Sequence, residues 1–239
     1  MRFNQSDLQL HSVGDSLVLG FANGDSITFP DYFSRFNKSG DTVITDIKFS
    51  DGSSINIIDL IKNSTIAVNA SNGIYHGHGS HQLFVGNGEN DVMNGGTGND
   101  TFLSGTGNDL ITGSSDGSNF YHIQSGAGSD TIQNSTGGSV NNSCVVFEAA
   151  QSNELWFQKS GNDLLVNVIG TSTQVDISGW YSGSDYQVDT ISAADGKTLS
   201  NSQVNALVSA MVAFSPPALG ATSLPQSYQD TLQPIISSS

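Results

Sequence analysis

The stretch NGGTGNDTFLSGTGNDLITG, residues 94–113, contains two Gly-rich loops that end in Asn-Asp nine residues apart, each followed by a short segment around one bulky apolar residue. The same beat extends to both sides. Apolar residues recur at Tyr75, Phe84, Met93, Phe102, Ile111 and Phe120, and ahead of them lie the loops GHGSHQ (77–82), GNGEND (86–91), GGTGND (95–100), SGTGND (104–109) and GSSDGS (113–118). A three-residue insertion then precedes SGAGSDTIQ (125–133), where Ile132 takes the apolar place.

A nine-residue period of this kind predicts a two-strand coil, in which each repeat supplies one tight turn and one short strand with its apolar side chain inward. Two repeats, eighteen residues, complete a circuit. Tyr75, Met93 and Ile111 then stack in one parallel sheet, and Phe84, Phe102 and Phe120 in the other. A core of one side chain per strand is thin for the number of loop residues it must order, so another source of cohesion is expected. The loops supply it. Gly86, Gly88, Gly95, Gly96, Gly98, Gly105 and Gly107 permit backbone angles that turn carbonyl oxygens inward, and Asp91, Asp100, Asp109 and Asp130 add carboxylates at the sixth loop position. Stacked loops would form an oxygen cage suited to a hard cation that accepts six to eight ligands, which favours Ca²⁺ over octahedral Mg²⁺ or over Zn²⁺ with its N and S ligands.

Around the repeats the sequence is duplicated. DLQLHSVGDSLVLGFANGDSITFPDYF from Asp7 aligns with ELWFQKSGNDLLVNVIGTSTQVDISGWY from Glu154, pairing Leu8 with Leu155, Gly14 with Gly161, Leu17 with Leu164, Ile27 with Val175, Phe29 with Ile177 and Tyr32 with Trp180. Alternating segments around Gly turns predict antiparallel strands in both copies. Each copy continues to an Asp-Gly turn, at Asp51-Gly52 and Asp195-Gly196. After the second, Ser200 can cap a helix whose Val204, Leu207, Val208, Met211 and Val212 share a face before Pro216-Pro217 stops it. A shorter helix is expected in the first copy around Ile55 to Lys62. The Pro/Ser-punctuated tail from Pro216 reads as extended or floppy.

The composition agrees with an all-β chain: 12% charged residues, 27 glycines, and 7 Lys+Arg against 22 Asp+Glu for a net charge of -15. No basic cluster offers a surface to nucleic acid. A single Cys144 excludes an internal disulfide framework. Neither a membrane span nor an N-terminal signal of the cleaved type is expected from the hydropathy.

GGTGNDTFL (95–103) matches in full the haemolysin-type calcium-binding (RTX) nonapeptide, SGTGNDLIT and SGAGSDTIQ depart at the first position, and GNGENDVMN has Asn87 and Glu89 where that pattern has Gly. The flanking copies, with GNDLLV, ISGWY and the Asp-Gly turn, resemble the β modules that accompany such repeats. The resemblance implies a parallel β-roll flanked by two small antiparallel β modules, with one short C-terminal helix. The corresponding segments are an N-terminal module over 1–67, the roll over 68–134, a second module with its helix over 135–214, and a flexible tail over 215–239. It also implies that each ion lies between same-side loops. Asp91 then pairs with Asp109, with carbonyls from 86–91 and 104–109, while Asp100 faces Ser118 or Gln82 and lacks a second carboxylate unless Asp116 compensates. Asp130 lies beyond the insertion, so its partner is open. At least one calcium is expected, and about two to four in all.

The function expected is a secreted, extracellular, non-enzymatic module whose folding is driven by calcium, exported by the type I secretion machinery. The alternatives are the C-terminal portion of an RTX adhesin with a cell-surface or glycan ligand, or of a secreted hydrolase or epimerase whose catalytic domain is absent. Three other patterns are weighed against this reading. His76, His78 and His81 fall at varied loop positions and read as exposed loop residues rather than a metal cluster. GSSDG (113–117) satisfies a hydrolase elbow with Ser115, but lies in phase with the loops and lacks a following helix. Trp156, Trp180, Tyr181 and Tyr186 read as core or sheet-face aromatics rather than a stacking surface.

Overall fold

The structure is a computed structural model of the chain, and it describes residues 8–13, 16–30, 32, 46–49, 52–57, 66–69, 73–77, 81–86, 88–113, 116–134, 142–217, 220–222 and 224–237. The described residues are mostly β, with two α-helices of eleven residues each near the C-terminus. Strands β1 (Leu8–Val13), β2 (Ser16–Phe21) and β3 (Ser26–Phe29) form an antiparallel meander, and β4 (Asp46–Lys48) and β5 (Ser54–Asn56) a hairpin. Short strands follow: β6 (Ile66–Asn69), β7 (Ile74–His76), β8 (Gln82–Val85), β9 (Val92–Asn94), β10 (Thr101–Leu103), β11 (Leu110–Thr112), β12 (Phe120–Ile123), β13 (Ser129–Gln133) and β14 (Cys144–Phe147). A second meander comprises β15 (Leu155–Ser160), β16 (Asp163–Val168) and β17 (Gln174–Ile177), and a second hairpin β18 (Thr190–Ala193) and β19 (Thr198–Ser200). Helices α1 (Asn201–Met211) and α2 (Gln226–Ile236) end the chain.

From β6 to β14 the chain alternates between two sheets. One sheet has the order β19-β18-β14-β12-β10-β8-β6-β1-β2-β3, the other β15-β16-β17-β13-β11-β9-β7, and the pairs within the repeat region are parallel. Tyr75 lies level with Met93, Met93 with Ile111 and Ile111 with Ile132 in one sheet. In the other, Phe84 is level with Phe102, and Phe102 with Tyr121. The aromatic column is close-packed: ring centroids are 4.6 Å apart for Phe84 and Phe102 and 5.4 Å for Phe102 and Tyr121.

Tyr121 corrects the expected phase. Phe120, which the nine-residue beat predicts to point inward, is 42% exposed, whereas Tyr121 is fully buried. The loop after β11 runs from Gly113 to Asn119, one residue longer than its predecessors, and a one-residue slip exchanges the two faces of a strand. The Tyr121 hydroxyl donates to Asn134 Oδ1 at 3.0 Å, which accommodates its polar end in the core.

The duplication appears in the hydrogen bonds. In the first hairpin Phe49 N–H donates to Ser53 O and Gly52 N–H to Phe49 O; in the second Ala193 N–H donates to Lys197 O and Gly196 N–H to Ala193 O. Asp51 and Gly14 lie outside the described residues. The two copies attach differently: the first through β1, parallel to β6, the second through β17, parallel to β13, and β18, parallel to β14. Leu17, Leu19, Tyr32 and Ile57 form a small core of their own, whereas the second copy shares one continuous core with the repeats.

Helix α1 begins as expected, with Ser200 Oγ accepting from Gln203 N–H in a capping box and with Val204, Leu207, Val208 and Met211 buried. Val212 is 81% exposed, beyond the helix end, and does not belong to that face. Of the helix expected around Ile55 to Lys62, residues up to Asn56 are strand β5, Ile57 is helical, and residues 58–65 lie outside the described set. The tail differs most. α2 buries Leu232 and Ile236, stacks Tyr228 on Phe214 at 4.1 Å, and accepts the Gln203 side-chain N–H at Ile235 O. Tertiary packing supplies a helix that local composition, with Pro234 inside it, did not indicate. None of the helices in the described residues is long and apolar enough to cross a membrane.

Candidate metal centre on the loop edges of the coil

The turns between alternate strands line two edges of the coil. On one edge lie loops 86–91, 104–109 and 125–130, and Asp91, Asp109 and Asp130 are all at most 2% exposed. The carboxylates of Asp109 and Asp130 reach back to the same position of the preceding loop: Asp91 N–H donates to Asp109 Oδ1 at 2.8 Å, and Asp109 N–H to Asp130 Oδ1 at 3.1 Å. The structure therefore brings together the predicted pair Asp91 and Asp109. It also supplies a partner for Asp130, which stacks on Asp109 across the three-residue insertion.

The other edge follows the same rule with different side chains. Gln82 N–H donates to Asp100 Oδ1 at 3.1 Å, Asp100 N–H to Asn119 Oδ1 at 3.1 Å, Asn119 N–H to Ser143 Oγ at 2.9 Å and Ser143 N–H to Asp189 Oδ2 at 3.1 Å. Asn119, and not Ser118, occupies the rung above Asp100, a consequence of the longer loop.

A second ladder runs with the opposite polarity. Asn90 Oδ1 accepts from Asn108 N–H, Asn99 Oδ1 from Ser118 N–H and Asn108 Oδ1 from Ser129 N–H, each at 2.8 Å. The asparagines at the fifth loop position thus fasten each loop to the next, while the sixth-position residues fasten it to the one before. Asn90, Asn99, Asn108, Asn119, Ser143 and Asp189 are rungs of the ladders that the sequence alone does not identify. The signal for the first three was present, since Asn precedes Asp at nine-residue intervals.

Backbone atoms approach closely on both edges. A Cβ on Gly86 would lie 1.9 Å from Ser104 O, and one on Gly107, whose φ is +136°, 2.3 Å from Glu89 O. Glycine is required there because the neighbouring loop's carbonyl occupies the side-chain space. Gly95 is likewise closed in, by Asp100 Oδ2 at 2.6 Å, and Gly96, Gly98 and Gly105 hold positive φ. Gly88 is different: a Cβ would meet Thr106 Oγ1 at an ordinary 3.4 Å, so nothing around it demands glycine.

The carboxylates are held in an unfavourable state. Burial pushes the Asp100 carboxyl up to about 8, with Asp116 adding repulsion and the Gln82 amide opposing. Burial pushes Asp109 up to about 7, opposed by the Asp91 amide and reinforced by Asp130 and Asp91, and Asp130 up to about 6. One oxygen of each is spent on a backbone amide. The other, Oδ2 of Asp100, Asp109 and Asp130, is buried without a hydrogen-bond partner. Buried anionic oxygens of this kind are costly unless a cation or proton meets them. Among the described residues no three His, Cys, Asp or Glu side chains converge, so a cation here would draw its remaining ligands from the packed carbonyls. That oxygen-only donor set fits Ca²⁺.

The other candidates fall away from this centre. His76 and His81 are exposed, and His81 Nε2 lies 3.0 Å from Asn99 Nδ2. His78 and Ser115 lie outside the described residues. Trp156 and Trp180 are buried, with the Trp180 indole N–H donating to Asn205 Oδ1, and Tyr186 is the one large aromatic of that group at the surface.

The module that closes the coil carries GNDLLV, ISGWY and the Asp195-Gly196 turn, and it ends the ladder at Asp189. Residues 163–203 match the haemolysin-type calcium binding protein related domain. This haemolysin-type related segment runs from β16 to the first turn of α1, and its β17 and β18 pair with the last strands of the repeat coil.

Proposed function

We propose that the chain is a calcium-binding module of the RTX type, a parallel β-roll whose loop edges hold the ion and whose folding is coupled to it. One observation carries the reading: Asp91, Asp109 and Asp130 stack in a buried column, linked from amide to carboxylate, and Oδ2 of both Asp109 and Asp130 is buried without a hydrogen-bond partner. Calcium would sit between loops 86–91 and 104–109, and between 104–109 and 125–130. Asp109 belongs to both gaps. The protein's own residues build the site by stacking carbonyls and fixing one oxygen of each carboxylate on a backbone amide; the ion neutralises the charge that remains. Binding free energy then becomes folding free energy.

The haemolysin-type related match supports the calcium role. In the same reading the protein is secreted through a type I channel as a poorly folded chain at cytosolic calcium and orders outside the cell. Its role is non-enzymatic, with calcium as its cofactor.

Circular dichroism and thermal melting during a calcium titration test the reading. Extracellular modules bind at about 10⁻⁴–10⁻³ M, so both signals should respond below about 10 mM. A chain whose spectrum and melting temperature stay constant over that range is not a calcium-folded module.

A further inference from the structure

The two β modules are the same unit used from opposite sides. Their strands correspond in register: Leu8 pairs with Phe21 and Leu17 with Phe29 in the first, Leu155 with Val168 and Leu164 with Ile177 in the second. Yet the first module meets the coil through β1, which pairs with the coil's first strand β6, whereas the second meets it through β17 and β18, which pair with the last strands β13 and β14. The side equivalent to β1 is covered in the second copy, where Phe157 N–H of β15 donates to Met211 Sδ of α1 at 3.2 Å. The side equivalent to β17 and β18 is open in the first. Among the described residues β3 ends its sheet and β4 pairs with β5 alone.

We infer that this open side, the free edges of β3 and β4, is a docking face whose occupant is the last turn of a nonapeptide coil carried by a partner chain. The chain's own coil is not available, because β17 and β18 fill its last turn. The side chains argue for a coil rather than for water. In the second copy Val175 and Ile177 lie level with Asp130 and Ile132, and Ile191 and Ala193 with Val145 and Phe147; all four are at most 8% exposed. The first copy keeps apolar residues at the same four places, Ile27, Phe29, Ile47 and Phe49. There Ile27 is 48% exposed and the other three are only partly buried. On a docked coil Phe29 would continue the apolar column and Ile27 would lie level with the last Asp rung. The backbone is suited to the same pairing, since an uncovered strand edge is a template for strand addition. Ser26 stands where Gln174 donates its N–H to Gly128 O at 2.7 Å. Pro30, in the place of Ser178, has no N–H to give, so the new pairing ends at Phe29.

Amide hydrogen exchange in the full chain tests the docking face, with residues 66–150 of the same sequence as the probe, a coil whose last turn is open. Exchange at Ser26, Thr28 and Lys48 should slow by about tenfold when the probe stands at about ten times its dissociation constant. Ile27→Asp should abolish that protection and leave the melting temperature of the chain unchanged, because Ile27 lies outside the small core of its module. A second protein carries residues 66–150 ahead of Met1 in one polypeptide, which raises the effective concentration of the coil. The same coil is folded against β17 and β18 in the parent chain, so absence of protection in both experiments is a failure of the first module and overturns the docking face. Protection in the tethered protein alone overturns the assignment to a partner chain. Protection in the full chain by itself, rising with its concentration and lost in Ile27→Asp, would make a second copy the occupant and overturn the coil. Failure of the calcium reading is distinguishable, since protection by the probe would then be equal in CaCl₂ and in chelator.

Discussion

Along one edge of the coil the ladder position is Asp91, Asp109 and Asp130; along the other it is Gln82, Asp100, Asn119, Ser143 and Asp189. The backbone does the same thing on both. Each rung fastens a side-chain oxygen to the amide of the rung before it, and an amide or hydroxyl oxygen does this as well as a carboxylate. The fold therefore needs an acceptor at the sixth loop position, but not a charge. Where the charge is present and buried, it exceeds what the hydrogen bond requires, and the excess is what a cation can use.

The comparison depends first on the phase of the long loop, because Asn119 is a rung only if Tyr121 is the inward residue. Tyr121→Ala should destabilise the chain by about 3–5 kcal/mol, as for other buried aromatics, while Phe120→Ala should cost under about 1 kcal/mol. Chemical denaturation in saturating calcium measures both. Equal effects would restore the nine-residue phase and remove Asn119 from the ladder.

Asp109→Asn comes next. It keeps the acceptor for Asp91 N–H and removes the carboxylate shared by two gaps. Calcium at 10–100 times its dissociation constant stabilises a site by about 1–3 kcal/mol, which corresponds to about 2–4 °C per kcal/mol for a chain of this size. The variant should lose most of that rise while melting higher than the parent in chelator at neutral pH. A variant that melts lower in chelator and still responds to calcium would mean that Asp109 is structural.

The raised carboxyls fix the direction of a pH effect. Below about pH 4 both folded and unfolded chains hold these protons, and burial of neutral carboxyls carries no charge penalty. As pH rises, the unfolded chain releases them first, while folded Asp130, Asp109 and Asp100 retain theirs to about 6, 7 and 8. The folded state then binds more protons, so calcium-free stability should fall between about pH 4 and pH 8. In chelator the melting temperature should therefore drop across that window, and with calcium present the drop should shrink. A chelator profile that rises from pH 5 to 8 would show that the buried carboxyls are already ionised and compensated without metal.

These two edges were unequally legible. Loops 86–109 keep a strict period, so the inward residues from Tyr75 to Ile111 followed from spacing, and the resemblance to the nonapeptide repeat implied the pairing of Asp91 with Asp109. The phase was lost at Gly113–Asn119 because Phe120 and Tyr121 are both aromatic, and hydrophobicity alone does not say which one faces inward. Ser143 and Asp189 were invisible for another reason: they lie 24 and 70 residues beyond Asn119, and only the parallel pairing of β12, β14 and β18 brings them into one column. The same holds for α2, whose Leu232 and Ile236 gain their helix from the core they enter.

The smallest expected effect tests the comparison most directly. Asn119→Asp would place a second buried carboxylate on the edge that now closes its ladder with a neutral amide. The hydrogen bond from Asp100 N–H would survive, but the new charge would be buried facing Asp100. Each unit by which burial raises a carboxyl corresponds to about 1.4 kcal/mol, so the calcium-free chain should lose about 1–2 kcal/mol at pH 8 and little at pH 5. Calcium should then restore stability to at least the parent level, because the substituted edge has acquired the arrangement of its opposite. If the variant is destabilised equally at both pH values and calcium does not rescue it, the amide of Asn119 is required for its shape, and charge is not what distinguishes the two edges.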